Sequence, residues 1–149
     1  MTKAYRYSII YFLAFSLLLL LSSYLLFDTK IGFSYTGVLE YYLGNEEKFI
    51  LAKTQLGVLK LILPHIFAFG LFMMVMLHFL IFTKYRNTRQ VSFIIYASYI
   101  TAFLELSSPF FILHGFEFFA LVKLFSFFGV LLLTLYVSWL LFFSALHSH

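Results

Sequence analysis

Long apolar runs, not alternation, dominate the chain: positions 8–27, 61–83, 91–113 and 118–143 are almost continuously hydrophobic, with a few hydroxyls and ionisable side chains set into them. A bilayer's hydrocarbon core takes about 20 helical residues, so each run is long enough to cross. Strands of a closed barrel would need a period of two, which these runs lack. The pattern predicts an all-α fold, a four-transmembrane-helix bundle with helices over about 8–27, 54–83, 91–113 and 117–145. Residues 1–149 then form a single integral membrane domain, with an outer amphipathic, interfacial segment at 28–53 between the first two helices. The first run could be taken for a signal peptide, but it is longer than a typical apolar h-region. It leaves through Phe27-Asp28-Thr29-Lys30 without a small-x-small cleavage pattern. It reads as a retained helix.

The outer segment carries its own helix signals. Ser34 or Thr36 can cap a short helix through Val38, Leu39, Tyr41, Tyr42 and Leu43, which Gly44-Asn45 can end. Its tyrosines suit the headgroup region. Thr54 can cap the next helix, with Lys60 snorkelling outward, and Pro64 removes the backbone donor to the carbonyl of residue 60, predicting a kink just before His65.

Composition sharpens this picture. Hydrophobic residues make up 63% and charged residues 11%, about half the charge of a soluble domain, which leaves no room for a sizeable soluble unit. The chain has no cysteine, excluding disulfides, iron–sulfur ligation, c-type haem attachment and cysteine nucleophiles. The net charge of +4 reflects topology, not a nucleic-acid footprint. Lys3 and Arg6 precede the first helix, and Lys84, Arg86 and Arg89 crowd the connection between the second and third. Positive-inside then puts both termini in the cytoplasm, and a bacterial inner membrane is the expected location. On the outer side Lys30, Lys48, Lys53 and Lys60 are balanced by Asp28, Glu40, Glu46 and Glu47.

Ionisable groups at membrane depth are costly and usually face the bundle interior, which singles out His65, His78, Glu105 and Lys123. Ser98, Thr101, Ala102, Glu105 and Ser108 recur at spacings of three and four, a small, polar seam along one face of the third helix. Lys123, Ser126, Thr134 and Ser138 fall within about 60° of one direction on the fourth. Packed antiparallel, the seams set Glu105 and Lys123 at similar depth, where a buried ion pair is expected. Such a pair can simply fix helix register; a proton or quinone-hydroxyl role for Glu105 is the functional alternative.

His65 and His78 lie thirteen residues apart on the second helix, about 20 Å in depth. Histidines at two depths are the arrangement by which membrane b-type cytochromes hold haem, and the constellation is loosely similar to theirs; neutral imidazole is a good axial ligand. That resemblance implies haem b, with His65 and His78 as iron ligands and His114 as a partner. Thirteen residues rotate a straight helix by about 220°, so the two imidazoles do not share a seam, and one haem is better supported than two. Other partners for His78 are His147 and His149, or one of Met73, Met74 and Met76 if ligation were His/Met, although Met74 shares the helix of His78 and cannot ligate opposite it. Structural readings compete: His65 can cap the kink, and His78 can donate to a neighbouring oxygen. Met74 and His78, four apart on one face, also form a soft pair of the kind that selects Cu(I), although such methionines commonly serve as packing filler. Zinc HExxH, phosphate-loop and Ser-His-Asp signatures are absent.

The order Ile31-Gly32-Phe33-Ser34, Gly37-Val38, Tyr41-Tyr42-Leu43-Gly44-Asn45-Glu46-Glu47, His65, His78 and Ser107-Ser108-Pro109 resembles a group of small uncharacterised bacterial four-helix integral membrane proteins. The resemblance implies the architecture and no catalytic residue. Three functions remain open. The first is a redox-associated protein binding b-type haem, with Glu105 near a quinol or proton path. The second is a non-enzymatic accessory or assembly subunit of a larger membrane complex, whose polar seams bind a partner helix of other membrane subunits and whose outer amphipathic segment docks on a neighbour. The third is an oligomeric ion or metabolite carrier using Glu105 and Lys123. A carrier predicts water at that pair, an accessory subunit a dry pair, and a cytochrome a visible spectrum.

Overall fold

The computed structural model describes residues 3–147. It contains α1 (Lys3–Lys30), α2 (Tyr35–Leu43), α3 (Gln55–Phe79) running into a 3₁₀ turn (Leu80–Phe82), α4 (Arg89–Leu113) and α5 (Phe119–His147). Four helices, Lys3–Lys30, Gln55–Phe82, Arg89–Leu113 and Phe119–Leu146, are long and apolar enough to span a membrane. The chain is an all-α integral membrane protein. Among the described residues the extended-backbone pairing is a single bridge between Asn45 and Ile50.

Side-chain oxygens set where the helices begin. Ser34 Oγ accepts from Gly37 N at 2.9 Å and starts α2; Thr54 Oγ1 accepts from Gly57 N at 3.0 Å and starts α3. Thr88 does the same for α4 through Val91 N. Each satisfies one of the backbone donors that a helix start leaves without a partner. Gly44 ends α2 at φ 83°, with its N–H on the Glu40 carbonyl. A Cβ at Gly44 would lie 2.7 Å from both Ala52 N and Ile50 O, because the chain folds straight back there. Asn45 and Ile50 exchange both backbone hydrogen bonds, at 2.8 and 2.9 Å, and Lys53 N donates to the Tyr42 carbonyl at 2.9 Å. Pro64 stays inside the continuous α3 helix.

α4 and α5 form the most extensive pairing, α1 packs on α5, and α3 packs on α4. The pairing is close because Gly129 sits against Thr101, whose methyl would lie 3.2 Å from a Cβ there. Two apolar cores fill the bundle. One, toward the end that carries the termini and the turn after α3, joins Ile9, Leu13, Met76, Leu80, Val137 and Leu141. The other, toward the α2 end, joins Phe27, Val38, Tyr42, Val58, Ile112 and Phe127. Phe27 of α1 stacks on Phe127 of α5 at 4.0 Å.

α2 does not lie free. It packs on α4 and α5, with Val38 and Tyr42 fully or almost fully buried. The expectation that the tyrosines of this short helix suit the headgroup region is corrected for Tyr42, which is buried because the apolar face of α2 meets a wall of α4 and α5.

Candidate functional site: a closed ion pair and three outward imidazoles

The small, polar faces of α4 and α5 meet. Ser98, Ala102, Glu105 and Ser108 are buried from one side, and Lys123, Ser126, Thr134 and Ser138 from the other. Helix spacing brings them together: residues three and four apart share a face, and small side chains let the backbones approach.

At the α2 half of this seam Lys123 Nζ donates to Glu105 Oε1 and, at 2.9 Å, to the Glu105 backbone carbonyl. Lys123 therefore satisfies the carboxylate and a carbonyl of the same residue. The side chains keep 7% and 11% of their surface, so the pair is almost closed off within the α4–α5 seam. Tyr42 of α2 faces the same pair. Burial, and then the negative charge of Glu105, pushes its phenol well above its ordinary range. Tyr42 had no motif to reveal it; its signal is an i, i+4 apolar spacing with Val38 on a short capped helix. Among the described residues Ser107 Oγ, Thr134 Oγ1 and Ser138 Oγ are buried without a hydrogen-bond partner.

The histidines are placed differently. All three described imidazoles, of His65, His78 and His114, are exposed at the bundle surface. His65 Nδ1 lies 2.6 Å from the Leu61 carbonyl, and His114 Nδ1 lies 2.7 Å from the Phe110 carbonyl. A carbonyl only accepts, so Nδ1 carries the proton in both rings and Nε2 presents a lone pair. His114 Nε2 meets Gln55 Nε2 at 3.4 Å, a contact between the ends of α4 and α3 that single-sequence spacing does not signal. Since Gln55 and His65 are ten residues apart on α3, or about 15 Å, His114 and His65 do not face one another. His78 lies near the far end of α3, its ring edge-on to Phe82 at 6.0 Å. One chain thus brings no two of these imidazoles to opposite faces of a common pocket. His149 and the side chain of His147 lie outside the described residues. Met73 and Met76 are packed in the core, leaving exposed Met74 beside His78. Among the described residues no three His, Cys, Asp or Glu side chains gather to hold a metal ion.

The α2–α3 connection has a second ion pair. Lys48 Nζ donates to both Glu40 carboxylate oxygens at 2.8 Å, and Asn45 Nδ2 donates to Oε1 at 2.9 Å. The hydrogen bond from Lys48, then that from Asn45, holds the Glu40 carboxyl below the usual carboxylate range.

The sequence model of a family described as a transmembrane helical domain matches residues 32–149, which take in α2 to α5. No curated protein and no solved structure matches the chain.

Proposed function

Because the chain belongs to this transmembrane helical domain family, we propose that it serves as a non-enzymatic accessory or assembly subunit of a larger complex, in a bacterial inner membrane with both termini cytoplasmic. The dry Glu105–Lys123 pair carries this reading. Charges at membrane depth that move protons or ions need water or a succession of partners, whereas this lysine is spent on one carboxylate and one carbonyl. Such a pair acts as interhelical glue, fixing α4 against α5 and leaving the remaining helix faces for lipid or partner helices. The test is proton flux in proteoliposomes holding only this chain, run beside native-gel migration from its own membranes. The accessory reading expects no flux and an assembly larger than the isolated chain. Flux that disappears in Glu105→Gln, or migration at the isolated chain's own size, overturns it in favour of a carrier or a free-standing protein.

A second reading, b-type haem in a redox-associated protein, draws support from one observation. His65 donates from Nδ1 to a carbonyl, the arrangement that orients a metal-ligating imidazole and leaves Nε2 for iron. With the imidazoles exposed at the bundle surface, His65 and His78 would be this chain's residues holding the haem, together with side chains of another polypeptide. Bound haem would supply one-electron chemistry. A reduced-minus-oxidised visible spectrum of the complex from haem-replete cells checks it: a stoichiometric b-type band lost in His65→Ala or His78→Ala supports the reading, and a folded complex with no band removes it.

A further inference from the structure

All six acidic side chains, Asp28, Glu40, Glu46, Glu47, Glu105 and Glu117, lie at the α2 end of the bundle or within its α2 half. The opposite end carries Lys3, Arg6, Lys84, Arg86 and Arg89 and, among the described residues, no carboxylate side chain to offset them. At that end a groove of about 470 Å³ runs between the last turns of α5 and the turn after α3, lined by Phe82, Lys84, Tyr85, Trp139, Leu140 and Ser144 among others. Its walls are built. Tyr5 of α1 stacks on Phe82 at 5.0 Å, and Trp139 stacks on Tyr136 at 6.1 Å. Lys84 Nζ sits 5.1 Å from the centre of the Tyr85 ring and makes no ion pair with any described residue.

The groove is therefore lined by one ammonium, of Lys84, by the hydroxyls of Tyr85 and Ser144, and by aromatic and aliphatic surface. It sits where the spanning helices end, at the level of the membrane interface. We propose that it binds an anionic phospholipid, the phosphate against Lys84 and Ser144 and an acyl chain along Trp139 and Leu140. Charge selects this occupant: a zwitterionic lipid offsets its phosphate with its own ammonium and carries no net charge, whereas an anionic headgroup gains about 1 kcal/mol per cation near the surface, or about fivefold. The apolar floor in turn favours a lipid over a free phosphate.

Trp139 is the chain's one tryptophan, so its emission reports occupancy without labelling. The full chain is reconstituted in phosphatidylcholine vesicles carrying either acyl-brominated phosphatidylglycerol or acyl-brominated phosphatidylcholine. The expected result is half-quenching at about a fivefold lower mole fraction of the anionic lipid. Lys84→Gln brings the two lipids together, Lys84→Arg keeps the preference, and Lys48→Gln at the opposite end leaves it untouched. Equal quenching in the native chain, or a preference that survives Lys84→Gln, overturns the proposal. So does a shift of Trp139 emission by inorganic phosphate in neutral vesicles, which would assign the groove to a free anion.

Discussion

Taking away Glu105 alone leaves the Lys123 ammonium buried with only a carbonyl, and taking away Lys123 leaves a bare carboxylate between two helices. Either change should cost about 3–5 kcal/mol, whereas replacing both with apolar side chains of similar volume should cost far less. Equilibrium unfolding of Glu105→Leu, Lys123→Met and the double variant in mixed detergent gives the coupling directly; additive losses would show that the pair is not acting as a unit. The two seams are visible in the sequence because hydroxyls, Ala102, Glu105 and Lys123 recur every three or four residues within apolar runs. The histidines carry no such guide. α3 is apolar on nearly every side, so no stripe tells which face turns inward, and the imidazoles that the cytochrome resemblance made partners are exposed at different levels.

At the scale of the element, α2 and the loop that folds back on it through the Asn45–Ile50 bridge are tightly constrained. Gly44 combines φ 83° and ψ 171°, a region open essentially only to glycine, with backbone atoms 2.7 Å from where a Cβ would stand. Gly44→Ala should destabilise by about 1–3 kcal/mol and open the 45–53 loop to protease while the spans keep their helicity. Acid should loosen the same loop. A carboxyl whose folded pKa is lowered adds stability above its unfolded value and loses it as pH falls through the folded one. Amide exchange at Asn45 and Ile50 should therefore rise below the usual carboxylate range, and Glu40→Gln should remove that pH dependence. The caps Ser34 and Thr54 and the stop at Gly44 are local signals and legible in the sequence. The docking of α2 against α4 and α5 is not, because a short amphipathic helix presents the same pattern to a headgroup layer and to a protein wall.

For the whole molecule, the spans and their number follow from apolar length, while the pairing order of helices depends on side-chain fit that hydropathy does not encode. The lopsided distribution of charge makes one topology prediction sharp. With no native cysteine, Asn87→Cys and Lys48→Cys each give a single thiol at opposite ends. In intact cells a membrane-impermeant maleimide should label the Lys48→Cys variant and leave Asn87→Cys unlabelled until the membrane is opened; the reverse pattern would invert the orientation. The docking of α2 also has a consequence in time. Its partners α4 and α5 lie downstream in the chain, so while the ribosome is still making α3 the wall that receives Val38 and Tyr42 does not yet exist. Until α4 and α5 are made, α2 can meet only Phe27 of α1 and Val58 and Ile62 of α3 among the buried residues of its core, so its full seating is a late step in biogenesis that follows the arrival of the C-terminal half.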